Sequence, residues 1–232
     1  MLKADMHMHA IGDPEDTYLT HTPEQLIDHA ANLKFDVLAI SCHGKVLFSK
    51  KLEAYAKKKG ILLISGAEAN IEKKHVLIFN ITDKERESLK TFDDVRRLKK
   101  KKDILVIASH PFFPRPDCLK EQLIKNIDIF DAIEISHFYI RGFDFNKKAI
   151  RVAKKYSKPL MALSDSHFLW QLGKVYTRVD AKKNMRDFFK AVRNGKVAPV
   201  HQPMKLGEFF VELYWIATTT FKPKTLYTTR IQ

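Results

Sequence analysis

The chain has 232 residues, of which 45% are hydrophobic, and this is enough for one substantial core. Its formal net charge of +14 favours an anionic partner, whether a phosphorylated metabolite, a phospholipid or a nucleic acid. The cysteines, Cys42 and Cys118, are too few for a disulfide framework, and with no secretory leader at the N-terminus they predict a reducing, cytoplasmic location.

Short segments rich in Val, Ile and Leu alternate along the chain with longer segments of helical period, as in successive βα units. This alternation predicts an α/β fold with a closed or nearly closed barrel, in one domain of residues 1–221 that is followed by a basic tail, 222–232. The predicted strands are 3–9, 35–42, 61–66, 75–80, 104–109, 132–136 and 160–164.

Helix signals lie between most of these strands. The run Thr22-Pro23-Glu24-Gln25 combines a capping threonine, a proline suited to the first helical position and a glutamine that completes a capping box. Thr91 with Asp94 predicts a second helix start, whereas Gly60 and the pair Asn194-Gly195 predict helix ends.

The late apolar stretch 206–221 contains two glutamates and is shorter than the roughly 20 residues that a spanning helix needs, so we expect no membrane partner. We interpret it as a helix that closes the bottom of the barrel, with pairing to a second subunit as the alternative.

The first predicted strand places Asp5, His7 and His9 at alternate positions, so that all three side chains share one face. Similar residues recur where later strands end, and six of the ten histidines lie just past a strand terminus. Histidines scattered over surface loops would not follow strand ends, and in a βα barrel this is the face that carries active sites. The residues at the later strand ends are His43, Glu68, His110, His137, Asp165 and His167.

Imidazole and carboxylate ligands without a required thiolate suit Zn, Mn or Fe better than Ca or Mg. The set is larger than one tetrahedral ion can use, which indicates two or three divalent ions with Glu68 as a bridging carboxylate.

Four ordered motifs resemble those of the PHP (polymerase and histidinol phosphatase) superfamily. They are Asp5-Met6-His7-Met8-His9, Gly66-Ala67-Glu68, Ser109-His110-Pro111 and Ser164-Asp165-Ser166-His167, and together they extend over about residues 5–170. The resemblance implies a distorted (β/α)7, TIM-like barrel with up to three metal ions. By position, it implies His7, His9, Glu68 and Asp165 for one ion, Glu68, His110 and His137 for a second, and His43 with His167 for a third.

The chain departs from the family pattern in two places. The loop that usually supplies a further ligand to the third ion has unusual spacing here, and we take Asp13 as the first candidate, with Asp16 and His21 as alternatives. Cys42 stands before His43 where the family has an aspartate, and the loss of this acid should affect the orientation of His43.

His75 begins a predicted strand instead of ending one, so we expect it to be a structural histidine away from the metal face. Lys45, Arg115 and Arg141 lie a few residues beyond predicted ligands, and we take them as candidates for binding substrate phosphate, with a solvated surface role as the alternative for each.

These features predict a phosphoesterase that hydrolyses a small phosphomonoester by attack of a metal-bridging hydroxide, with Glu68 and Asp165 as catalytic residues. The alternatives are an exonuclease or nucleotide phosphodiesterase, and a non-catalytic barrel that binds RNA. The lysine runs at 57–59, 99–102 and 154–158 should lie on the face opposite the metal site, so a nucleic-acid partner is left open but is not favoured.

Overall fold

Two five-stranded sheets form the core of the structure, a computed structural model that describes residues 1–220. The predicted tail, 222–232, lies outside the described residues. The strands are β1 Leu2–Asp5, β2 Val37–Leu38, β3 Leu62–Leu63, β4 Gly66–Ile71, β5 Lys74–Phe79, β6 Leu105–Ala108, β7 Ala132–Ser136, β8 Tyr139–Ile140, β9 Phe143–Asp144, β10 Leu160–Leu163, β11 Tyr176–Val179 and β12 Val197–Val200. The helices are α1 Pro23–Asn32, α2 Lys50–Lys58, α3 Asp83–Ser88, α4 Phe92–Lys101, α5 Glu121–Lys125, α6 Asn146–Lys155, α7 Met185–Arg193 and α8 Leu206–Thr220, with a 3₁₀ turn at Leu169–Gln171.

The first sheet has the order β12-β11-β1-β2-β3 and the second the order β10-β7-β6-β5-β4. Isolated bridges join the sheets at two places. Met8 pairs with Ser166, just past β1 and β10, and His43 pairs with Glu68 of β4. The predicted α/β class is therefore confirmed, whereas closure of all strands into one barrel is not, because the ladders form two separate sheets.

A hydrophobic layer fills the space between the sheets. Met6 and Val37 from the first sheet meet Leu105 and Leu163 from the second, and Phe188 of α7 packs into the same cluster. Helices α1 and α2 cover the outer face of the first sheet, while α4, α5 and α6 cover the second. We had predicted that the stretch 206–221 closes the bottom of the barrel. Helix α7 takes that role instead, because its apolar residues pack into the layer between the sheets.

The chain forms the predicted helix boundaries. Thr22 and Gln25 make the expected capping box at the start of α1, and Thr91 and Asp94 make another at the start of α4. Helix α2 ends just before Gly60, and α7 ends before Asn194. No helix in the described range is long and apolar enough to cross a membrane.

A tight hairpin joins β4 to β5, and it was missed in the sequence. Ile71 pairs with Lys74, so the turn consists of Glu72 and Lys73, both at positive φ (49° and 64°). Such a turn is usually signalled by Asn-Gly, which tolerates this conformation, and no such signal is present here. As a result β5 runs antiparallel to both β4 and β6.

Replacing Lys73 by glycine should raise the free energy of unfolding by about 1 kcal/mol, because glycine has no Cβ to clash at positive φ. Urea denaturation followed by circular dichroism measures this change. Lys90→Gly is the control, since Lys90 is not at positive φ and glycine there should only destabilise the chain. A stabilisation of the same size in both variants would contradict the explanation.

The capping box of α4 should make stability depend on pH. Hydrogen bonds from Thr91 and Lys90 lower the pKa of Asp94 from 3.8 to about 2. Since the folded pKa is depressed, the stabilisation by the ionised carboxylate is fully present above pH 3.8 and is lost as the pH falls through about 2. Denaturation of the parent and of Asp94→Asn should therefore differ most at neutral pH and converge at the acid end. A difference that does not depend on pH would exclude this contribution.

Candidate metal centre

The ends of the parallel strands bring together a group of histidines and carboxylates, which we call the cluster. Its donor atoms form overlapping groups, within each of which they lie no more than 4.8 Å apart. Four residues past β1, the backbone N–H of His9 donates to the Ser166 carbonyl at 3.0 Å, and this contact joins the first and last ligand motifs. The members of the cluster are His7, His9, Asp13, Asp16, His43, Glu68, His75, His110, Asp165 and His167.

Glu68 lies at the centre of the cluster and is 1% exposed. Its Oε2 atom is 3.0 Å from His43 Nε2 and 3.4 Å from His7 Nε2. The other oxygen, Oε1, is 3.1 Å from both His110 Nε2 and His75 Nδ1. Each oxygen of one carboxylate therefore faces a separate pair of imidazoles, which is the arrangement that a bridging ligand requires.

Several buried donor atoms in the cluster make no hydrogen bond within the described residues. These atoms are His7 Nε2, Glu68 Oε2 and His75 Nδ1. A buried polar atom that makes no hydrogen bond is costly, and atoms of these chemical types are the usual ligands of zinc, manganese and iron. The donors present therefore fit divalent cations.

The loop after β1 places two acids beside histidines of the cluster. Asp13 Oδ2 lies 2.8 Å from His9 Nδ1 and 3.1 Å from His43 Nδ1, and Asp16 Oδ2 lies 3.2 Å from the same His43 atom and 2.8 Å from His167 Nε2. His21 instead donates from Nε2 to the backbone carbonyl of His9 at 2.8 Å and supports the strand.

The family has an acid at the position of Cys42, next to His43. In this chain Asp13, in the loop after β1, lies beside His43 instead. Asp13 accepts hydrogen bonds from both the backbone N–H and the ring of His43. The Cys42 thiol is buried against the carbonyl of Ala10, and burial raises its pKa to about 12, so it stays protonated. The orientation of His43 is therefore fixed by the loop and not by its sequence neighbour.

The expectation that His75 lies away from the metal face was wrong. Because β5 is antiparallel, its first residues lie at the same end of the sheet as the carboxyl ends of the parallel strands. His75 Nδ1 is 3.1 Å from Glu68, and the residue belongs to the same group of donors as His43 and Glu68. The missed hairpin is the reason for the error.

His137 follows β7 as predicted but does not join the cluster. Its Nε2 atom lies 2.8 Å from Glu212 Oε2, a carboxylate of α8, while its Nδ1 atom is buried without a hydrogen bond in the described part of the chain. Gln171 donates to the other oxygen of Glu212 at 2.6 Å. Helix α8 therefore lies on the ligand side of the fold, and the prediction that it closes the opposite end was wrong.

Glu134 is a site residue that sequence reasoning missed. It lies fully buried on β7, where its carboxylate is 3.2 Å from His7 Nδ1 and accepts the backbone N–H of His110 at 2.8 Å. A charged residue between two isoleucines of the buried strand Ala132–Ser136 was the available signal. Carboxylates behind a ligand histidine fix its orientation and raise its basicity.

Two residues of the cluster have unfavourable backbone conformations. His110 has φ of 21° and Asp165 has φ of 47°. Positive φ is rare for residues with a side chain and persists only where the surroundings enforce it, often at functional sites. For His110, the hydrogen bond from its N–H to Glu134 provides part of that constraint.

Neighbouring histidines and carboxylates in the cluster shift each other's pKa values toward the charged forms. Burial by itself would raise the pKa of Glu68, but the histidines around it, chiefly His75, His7 and His43, hold that pKa well below its usual range. Burial would likewise lower the pKa of His7, yet the Asp165 and Glu134 carboxylates raise it well above 6.5. The Glu68 carboxylate therefore stays ionised inside the protein.

The three predicted phosphate contacts differ in position. Arg115 pairs with Asp117 at 2.7 Å, and Asp117 in turn lies 3.9 Å from His75 Nε2. The exposed residues Lys45 and Arg141 make no side-chain hydrogen bond or ion pair to the cluster within the described chain. Arg115 is thus the cation that the structure connects to the cluster, through Asp117.

Residues 143–197 match a family model described as PHP-associated. The fold is similar to that of a two-domain protein from Bacteroides vulgatus containing a predicted PHP-like metal-dependent phosphoesterase, with 20% identity and a TM-score of 0.69 over 92% of this chain and 69% of that one. The predicted resemblance to the PHP superfamily is confirmed.

Two further solved structures are similar in fold at lower TM-scores. PsfC from Pseudomonas syringae is 14% identical, with a TM-score of 0.64 over 94% of this chain and 98% of that one. An amidohydrolase from Chromobacterium violaceum, with bound sulfate and no metal, is 15% identical, with a TM-score of 0.53 over 71% and 87%. At these identities the likeness shows a shared fold. No curated protein matches the chain.

Glu134→Gln should weaken metal binding about 10- to 100-fold, because the neutral amide cannot support His7 as the carboxylate does. Calorimetric titration with Mn²⁺ or Zn²⁺ measures the affinity, and thermal denaturation shows whether the variant folds. Glu121→Gln is the matched control, since Glu121 is exposed and pairs with Lys148 on the surface. Parent-like affinity in a folded Glu134→Gln variant would exclude the positioning role.

Proposed function

We propose that the protein is a metal-dependent phosphoesterase that hydrolyses small phosphomonoesters. The observation that carries the proposal is the placement of Glu68, whose two oxygens each face a separate pair of imidazoles. A carboxylate held in this way is suited to bridge two cations.

The donors divide around Glu68 into three groups. His7, His9 and Asp165 would share the first ion with Glu68, and His110 with His75 would hold the second on the opposite carboxylate oxygen. His43, Asp13, Asp16 and His167 offer donors for a third. Divalent ions bound there would lower the pKa of water and neutralise phosphate charge, which is the chemistry that phosphoester hydrolysis needs.

The chain's own side chains orient these donors. Ser109 Oγ donates to Glu68 Oε1 at 2.5 Å, and Glu134 sets the ring of His7 from behind. Asp165, whose pKa is held well below its usual range by His7 and the other histidines despite its burial, provides an ionised carboxylate beside His7 and His9. These contacts support Glu68 and Asp165 in the roles that the sequence predicted for them.

His137 is a further donor that the proposed site could recruit. The Nε2 atom of His137 lies 2.8 Å from Glu212. To bind a cation through Nε2, His137 would first have to give up this contact. We therefore assign it no ligand role in this structure and take His75 in its place beside His110.

Two observations support phosphate as the group that is bound. Arg115 lies near the cluster beside Asp117 and is partly exposed, as a phosphate contact must be. The amidohydrolase of similar fold has bound sulfate, a tetrahedral oxyanion like phosphate.

A small monoester is favoured over a polynucleotide because of where the lysines lie. Lys99 and Lys158 donate to the backbone carbonyls of Ile129 and Phe130, which precede β7. These cations are therefore at the end of the sheet away from the cluster, where they do not help a nucleic acid to reach it.

The proposal predicts that the protein binds two to three equivalents of Zn, Mn or Fe and hydrolyses p-nitrophenyl phosphate. Asp165→Asn and Glu68→Gln should each lose bound metal and lower kcat by at least about 100-fold, because each removes a charged donor from the centre of the cluster. Elemental analysis and steady-state kinetics measure the two effects.

His29→Ala is the matched control, since His29 lies on α1 and belongs to no donor group in the described residues. Release of phosphate from the monoester is compared with shortening of a labelled oligonucleotide to separate the two substrate classes. A folded Glu68→Gln variant that keeps both metal and activity would overturn the proposal.

A further inference from the structure

Helix α8 has its acidic residues on the inner side. Glu212 is 6% exposed and contacts His137 and Gln171, as described above. Glu208, one turn earlier, accepts from Lys174 Nζ at 2.7 Å. Both acids in the described part of this helix are thus paired with residues of the protein.

The outer side of α8 is apolar, the reverse of an ordinary surface helix. Leu206 and Phe210 are each 63% exposed, Val211 is 48% exposed and Leu213 is 38% exposed. We call these four residues the α8 face. The spacing of Leu206, Phe210 and Leu213 by four and three positions puts them on one side of the helix.

The helix is fixed to the protein from within, so the face is presented outward. The ring of Phe209 packs 4.9 Å from that of Phe138. The backbone N–H of Met204, just before α8, donates to the carbonyl of Tyr139 in β8 at 2.8 Å. With Glu212 held at His137, these contacts leave the α8 face without cover from the described residues.

Positive charge accompanies the face. The exposed cations Arg141 and Lys205 line one surface depression together with Leu206. The sequence from residue 213 to the end has no acidic residue and contains Lys222, Lys224 and Arg230. An exposed apolar strip with cations beside it is complementary to a surface that has anionic groups on the outside and an apolar layer beneath them.

We propose that the α8 face docks on the surface of an anionic lipid bilayer, with the helix lying in the plane of the interface. The described part of the helix, 206–220, is too short to span a bilayer, but an apolar face beside basic residues binds in this manner. A second copy of the chain is the less favourable occupant, because the net charge of +14 opposes self-association. The proposal revises the expectation of no membrane partner, which rested on the lack of a spanning segment.

Flotation of the full chain with vesicles tests the proposal. We expect the protein to float with vesicles of equal parts phosphatidylcholine and phosphatidylserine, much less with phosphatidylcholine alone, and less as salt is added. Phe210→Ser should lower the partition coefficient about tenfold, because it removes a large apolar group from the interface. Lys205→Glu should weaken binding to the anionic vesicles only.

Ile150→Ser on α6 is the matched control, since Ile150 is also an exposed apolar residue, at 36%. Metal content, measured on the same variants, should stay at the parent level, so that failure of this proposal is separable from failure of the proposed function. The proposal is overturned if the parent floats with neither vesicle or if Ile150→Ser loses as much binding as Phe210→Ser. It is also overturned if light scattering shows a dimer that Phe210→Ser converts to a monomer, because the face would then join two copies.

Discussion

A carboxylate that is almost completely buried must be balanced by nearby positive charge or by hydrogen bonds, since an isolated ion in the interior is very costly. Glu68 meets this requirement through His7, His43, His75 and His110, which come from four different parts of the chain. The ends of both sheets are positioned so that these side chains converge on it. Much of the remaining polar structure, including Glu134 behind His7 and Asp13 behind His43, fixes the histidines in that arrangement.

Much of the fold, and most residues of the cluster, could be predicted from local signals in the sequence. Alternation of apolar residues predicted the strands, and capping residues such as Thr22 and Thr91 predicted helix starts, because both depend on neighbours in sequence. The histidines and acids that follow strands were found since strand ends converge in this class of fold. The resemblance to the PHP superfamily supplied the grouping of donors. Asp13, the first candidate for the third ion, lies 3.1 Å from His43, and its role as a ligand stays a prediction.

The errors share a physical origin, since each depends on tertiary structure that no local pattern encodes. The turn at Glu72-Lys73 has an uncommon sequence for its conformation, so β5 was taken as parallel and His75 was placed at the wrong end. His137 was predicted as a ligand from its position after β7, and that role stays a prediction. Its Nε2 atom pairs in the structure with Glu212, a carboxylate far along the chain that the sequence pattern does not place beside it. Helix α8 was read as an ordinary closing helix because the sequence does not show which side its glutamates face.

The contact between the segment after β1 and the last ligand motif constrains when the cluster can form during folding. His9 and Asp165 are 156 residues apart in the chain, yet their side chains lie 3.2 Å apart. A contact this distant in sequence forms late in folding, since the entropy of closing so long a loop must be offset by other interactions first. During synthesis the early histidines must therefore leave the ribosome without most of their partners. The centre can be completed only after residue 165 has emerged, so a chain that stops earlier lacks the donors that Asp165 and His167 supply.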